Sequence, residues 1–249
     1  PNFWRGPTDN DFGASLQVKN AVWRNPEMVL EQLTFTPAEG ENTLPTVKAL
    51  YNMPEVSAKL EMTYRMNNDG ALQVTQQLRA DASRKDVPDM FRFGMQLVMP
   101  EQFDRIDYYG RGPEENYADR NHSTFMGRYS QMVSDQFYPY VRPQETGSKS
   151  DVRWWKVVDV DGRGLAFSAE QPFFATALHY LTSDLDDGDK KHQRHSGELH
   201  ERDLTCVSID GRQMGLGCVD SWGSLPLPEY CLPYGDYTFT VVITPIEKK

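Results

Sequence analysis

The chain has 249 residues, 39% of them hydrophobic and 25% charged, with a net charge of −10 at pH 7. That length suits one large all-β domain or two ordinary ones, and the apolar share is enough to drive burial rather than disorder. The negative balance, with no clustered Lys/Arg, excludes a nucleic-acid surface, and no stretch approaches the roughly 18 apolar residues of a membrane span.

From the N-terminus, "TDNDFGASLQVKNAVW" (8–23) can hold a helical turn or two, with Thr8 or Asp9 as cap. "AKLEMTYRMN" (58–67) and "ALQVTQQLRA" (71–80) alternate apolar and polar residues around "NDG", which predicts a β-hairpin. "FRFGMQLVMP" (91–100) is a further strand. "WWKVVDVDGRGLAFSA" (154–169) predicts a hairpin around Asp161-Gly162, and "LTCVSIDGRQMGLG" (204–217) another around Asp210-Gly211. "TSDLDDGDKKH" (182–192) allows a short helix, and "GDYTFTVVITPI" (235–246) is a last strand. Recurrent hairpins with scarce helical periodicity predict a β-sandwich, and with no linker or repeat the expected organisation is one domain over 1–249.

Most candidate motifs fail their template. The acidic run 183–201 begins like a calcium loop at Asp184 and Asp186, but Gly188 stands where the third ligand belongs. His192, His195 and His200 lack a zinc pattern, so this run reads as a solvated loop. Cys206, Cys218 and Cys231 match no zinc spacing and read as packing residues, with at least one free thiol among the three. "VDSWG" lacks the first glycine of a nucleophile elbow, and "GRGP" lacks a phosphate-loop pattern.

Two polar stretches stand out. "IDYYGRGPEENYADR" (106–120) carries Tyr109, Arg111, Glu114, Glu115, Asn116 and Arg120, and "YVRPQETG" (140–147) adds Arg142 and Glu145. Planar rings beside carboxylates and guanidiniums suit a sugar cleft. The same residues suit a salt-bridge network pinning loops, and that reading is the favoured one. Glu114 or Glu115 with Glu145 could form a glycosidase carboxylate pair, and His179 is the nearest histidine for a mutarotase-like acid/base site. Trp222 lies in "MGLGCVDSWGS" (214–224), among glycines and serines. Such a large hydrophobe in a loop either folds over a core or is presented outward.

Four ordered stretches, "NFWRGPTDND" (2–11), "YYGRGPEENYADR" (108–120), "RPQETG" (142–147) and "MGLGCVDSWG" (214–223), resemble the C-terminal domain of glycoside hydrolase family 2 β-galactosidases, which some bacteria encode as a separate small subunit. The resemblance covers essentially the whole chain. The family often has Ala where Gly6 stands, Asn where Thr146 stands, and Gly-Asp where Cys218-Val219 stand.

The resemblance implies a large antiparallel β-supersandwich of the galactose mutarotase-like group. It also implies that the acid/base and nucleophilic glutamates, with magnesium and sodium, lie in a (β/α)₈ barrel that is not part of this sequence. No catalytic residue or cofactor is then expected here. The expected partners are the barrel-containing remainder, a β-galactoside such as lactose, and further copies in an oligomer. Trp222 is implied as the aromatic platform for the aglycone sugar and for galactose in a shallow binding mode. The expected role is an accessory one, inactive alone. The alternatives are an independent carbohydrate-binding module using 108–120 and 142–145, or an aldose-epimerase-like domain. The chain starts at Pro1 rather than Met, which fits a portion of a larger enzyme, and both cytoplasm and periplasm stay open as its location. "QFYPYV" (136–141) and "LPLPEYCLPYG" (225–235) are the expected apolar patches toward partners.

Overall fold

A computed structural model describes residues 1–38, 44–217, 220 and 223–247. Trp222, Ser221, Val219 and Cys218 lie outside the described residues. Eleven strands are described: β1 (Val29–Thr36), β2 (Thr46–Met53), β3 (Ala58–Met66), β4 (Leu72–Ala80), β5 (Arg92–Pro100), β6 (Arg105–Gly112), β7 (Phe125–Met132), β8 (Lys149–Val158), β9 (Gly164–Leu178), β10 (Leu204–Gln213) and β11 (Tyr237–Ile246). The helices are single turns: α1 (Asp9–Gly13), α2 (Leu16–Lys19) and α3 (Thr182–Leu185). None of them is long and apolar enough to cross a membrane.

All pairings are antiparallel, in the order β1-β2-β3-β4-β11-β9-β8-β6-β7, with β10 joining β5 to β9. The long strand β9 makes this possible. Its first half pairs with β11 (Ser168 opposite Val242) and its second half with β10 (Ala175 opposite Ile209). Between those halves the register against β8 shifts between Ser168 and Phe173, a stretch that contains Pro172, whose missing N–H suits an interruption of the ladder. The sheet therefore forks at β9 and its branches face each other. Phe93 of β5 meets Tyr237 of β11 with ring centroids 5.3 Å apart.

One apolar cluster fills the interior. It takes alternate residues from β3 (Leu60, Met62), β4 (Val74, Leu78), β8 (Trp155, Val157) and β10 (Val207, Ile209), as a period-two strand with one buried face requires. The N-terminal segment closes one end: Phe3 lies 5.4 Å from Trp23 and 6.2 Å from Phe93 between ring centroids. This is the all-β antiparallel supersandwich expected from the sequence.

Two expectations need correction. Residues 204–213 form one strand, not a hairpin: Gly211 is a bulge against β5, and a Cβ there would stand 2.6 Å from Phe239 Cδ2. The glycine makes room for the facing sheet rather than for a turn. The run 183–201 is only partly a solvated loop. Leu185 is buried, and Asp187 is buried against Arg142, Arg194 and the His192 N–H.

Candidate functional site

The segments 2–11, 108–120, 142–147 and 214–217, far apart in the chain, meet at one end of the sandwich. Arg5 is buried, donating through Nε and Nη2 to Asp11 at 3.1 and 2.8 Å, and through Nη1 and Nη2 to the carbonyls of Met214 (2.8 Å) and Gly215 (3.1 Å). Asp11 also accepts from the Thr8 N–H while the Thr8 hydroxyl accepts from the Asp11 N–H, a capping box that starts α1. From α1, Asn10 Nδ2 donates to the Leu216 carbonyl at 3.1 Å.

The opposite side of the same loop is held from 108–120. Asp119 accepts from the N–H groups of Leu216 and Gly217, each at 3.1 Å. Gly215 permits that approach, since a Cβ there would lie 2.4 Å from Asp119 Oδ2. Gly217 has φ +73°, and a Cβ on it would stand 2.9 Å from the Ser224 carbonyl oxygen, so the residues on either side of 218–222 come close together. Gly223, at φ +117°, lies against the backbone of Gly13 and Ala14.

The candidate residues of the polar stretches are not gathered into one cluster. Glu115 accepts from Arg120 Nη2, the Tyr140 hydroxyl, the Thr146 hydroxyl (3.1 Å) and the Gly147 N–H (2.7 Å). Burial first, then the Glu115 carboxylate, push the Tyr140 hydroxyl up to about 12. Asn116 is fully buried, donating to the Arg111 and Glu114 carbonyls and accepting from the Ser150 N–H and hydroxyl. Arg111 pairs with Asp151, and Arg142 with Asp187. Tyr109 lies within the β6 ladder opposite Trp154, and the Glu114 side chain is exposed.

Glu145 is buried and pairs with Arg92, which also holds Asp210 at 2.6 Å. Burial raises the pKa of both carboxylates, and the shared guanidinium opposes that rise. Gln213 ties Asp210 (2.9 Å) to the Ser148 hydroxyl (3.2 Å). Next along β8, burial pushes the Lys149 ammonium down to about 8, with Glu115 and Glu114 pulling the other way. His179 stands apart, its Nδ1 against the Leu204 carbonyl at 2.8 Å, where only a protonated nitrogen bonds well.

A cleft of about 230 Å³ opens beside this end, walled by Asp9, Asn10, Arg120, Tyr140, Gln144 and Leu216. Sequence reasoning reached Asp119 only as a member of the polar stretch 106–120 and missed Arg5, Arg92, Lys149 and Asp210. For Arg92 one signal was present: a charged residue between Phe91 and Phe93 in an otherwise uncharged strand. Cys206 is buried, which pushes its thiol up to about 12, while Cys231 is half-buried. Among the described residues, no group of three or more His, Cys, Asp or Glu side chains is placed to hold a metal ion.

Known proteins match the chain closely in sequence. The family model described as beta galactosidase small chain matches residues 1–243. The β-galactosidase of Priestia megaterium is 34% identical over 246 residues, covering 98% of this chain and 23% of that protein. That of Lactobacillus delbrueckii subsp. bulgaricus is 34% identical over 232 residues, 92% of this chain and 22% of that protein. This chain therefore spans under a quarter of the length of these relatives. Among solved structures, a GH36 α-galactosidase of Geobacillus stearothermophilus aligns with TM-score 0.48 and 9% identity over 90% of this chain and 28% of its own. A galactose mutarotase related enzyme from Lactobacillus acidophilus aligns with TM-score 0.41 and 9% identity over 92% of this chain and 74% of its own. With a family match that runs almost from end to end, the chain belongs to the β-galactosidase small chain family.

Proposed function

We propose that this chain is the accessory domain of a retaining β-galactosidase, supplying one wall of an active site whose two glutamates, with magnesium and sodium, belong to a barrel elsewhere in the larger enzyme. The observation that carries the reading is how the chain leading into residues 218–222 is held. Buried Arg5 holds it at Met214 and Gly215, and Asp119 fixes Leu216 and Gly217. That much anchoring suits a loop that must hold a side chain at a set place for another part of the enzyme.

The chemistry asked of Trp222 is modest. An indole face packs on the C–H face of a pyranose without a directional bond, so it can position an aglycone sugar and still release it. Apolar side chains left open on β1, Leu33 and Phe35, and on the expected patches, Tyr138, Val141, Leu225 and Leu227, support a further role in assembly.

The purified chain should not turn over a chromogenic β-galactoside, and adding the barrel-containing portion should restore turnover. In that reconstituted enzyme Trp222→Ala should raise KM about tenfold with a smaller change in kcat. Turnover by the chain alone, or an unchanged KM in the variant, would overturn the reading. Calorimetry with galactose and lactose separates the carbohydrate-binding alternative, which requires binding by the isolated chain at the 230 Å³ cleft.

A further inference from the structure

The outer edge of β5 is an unfinished ladder. β5 pairs with β10 on one side only. On the other side Asn2 bridges Gly94, with N–H to carbonyl distances of 2.7 and 3.1 Å in the two directions. Both polar groups of Gly94 therefore point outward, and alternation turns those of Gln96 and Val98 the same way. Among the described residues no strand pairs with this edge beyond Asn2. Val98 is 54% exposed there, on the outer face of β5 that it shares with exposed Gln96 and Pro100.

Beside this edge the two layers do not close. A cleft of about 510 Å³ runs between them, with Leu97, Met99 and Phe103 on one side and Leu165 and Ile246 on the other, and with Gln102, Asp159 and Arg163 also in its lining. An exposed strand edge next to an open, largely apolar cleft is what a sandwich leaves when one strand is missing.

The geometry points to the occupant: a strand of the larger enzyme that joins directly to Pro1 and runs antiparallel to β5, bonding Gln96 and Val98 and putting alternate side chains into the cleft. The Asn2–Gly94 bridge already sets its direction and register. Pro1 falls opposite Met95, where the added strand's N–H would point away from β5, so a proline costs the ladder nothing. The residues opposite Leu97 and Met99 face inward. The inference rests on this chain being part of a larger enzyme, as the relatives' length allows, since the chain covers 23% of the first of them.

Hydrogen exchange tests it. Two proteins are compared: the 249-residue chain and the same chain preceded by the roughly ten residues that its reading frame encodes before Pro1. The Gln96 and Val98 amides should exchange about 100-fold more slowly in the extended chain, with the Val207 amide on β10 unchanged. Replacing the two residues opposite Leu97 and Met99 by Glu should remove that protection. The full-length enzyme, which does not depend on how the extended chain folds, should show the same slow exchange at both amides. Equal exchange in both chains, fast exchange in the full-length enzyme, or a reading frame with no residues before Pro1 would overturn the inference. Turnover is not read in this experiment, so the added strand can fail while the galactosidase reading stands, and the reverse.

Discussion

The end that carries the 214–217 approach and the β1–β2 flap at the sheet margin are built on opposite principles. At the first, five charged side chains, Arg5, Asp11, Arg92, Glu145 and Asp210, are buried together and bonded to one another and to loop carbonyls. At the second, every residue of β1 is exposed, and Leu33 and Phe35 are 64% and 67% open to solvent. A strand ladder holds backbone to backbone and leaves side chains free. The buried charges do the reverse: they fix irregular backbone that no ladder reaches, and they do so at a cost in desolvation. Precise placement of a loop is the return on that cost.

The largest effect should come from Arg92→Met, which leaves Glu145 and Asp210 buried without their shared cation. Urea unfolding should show a loss of about 3–5 kcal/mol at pH 7. Burial already holds both carboxylate pKa values above their ordinary 4.5 and 3.8, and without Arg92 they rise further. A carboxyl with a raised folded pKa favours the fold below its unfolded value and loses that as pH climbs through the folded one. The deficit should therefore be smallest below pH 3.8 and widen upward. A loss under about 1 kcal/mol would erase the contrast between the two regions.

Lys149→Met should act in the opposite direction. The folded chain holds the Lys149 proton with a pKa of about 8 against an ordinary 10.5, so between those values the unfolded chain binds more protons and stability rises with pH. Removing the charge should stabilise the protein at pH 7 by roughly 3 kcal/mol, and the gain should fade by about pH 10.5. An equal gain in unfolding experiments at both pH values would trace it to packing instead.

What could be read from the residues divides along the same line. The β3–β4 hairpin was legible because Leu60, Met62, Val74 and Leu78 alternate cleanly around a glycine turn. β1 was not, because a register shift between Leu30 and Gln32 breaks its period and neither face is buried. Asp210-Gly211 imitates a turn, but the reason for the glycine is Phe239 in another strand. The charged end was the least legible. Arg92 and Asp210 lie 118 residues apart, so no local spacing could pair them. Composition drew attention to the polar stretches and to Trp222 in its glycine-rich setting, but their common membership of one family, and the platform role of Trp222, came from the resemblance alone.

The smallest effect belongs to β1. Leu33→Lys removes an apolar side chain that has 64% of its surface in water already and leaves its ladder partner Ala49 in place. Unfolding of the isolated chain should change by no more than about 0.5 kcal/mol. The same substitution in the assembled enzyme has a different reference state. If Leu33 and Phe35 are covered there, a lysine must be desolvated or must hold the partner off, and association should weaken measurably by sedimentation. A variant neutral in the chain and neutral in the assembly would make this flap plain solvent-facing sheet. A variant neutral in the first and disruptive in the second would mark it as a surface whose partner lies elsewhere in the enzyme. The charged end would then serve placement, and the bare ladder would serve contact.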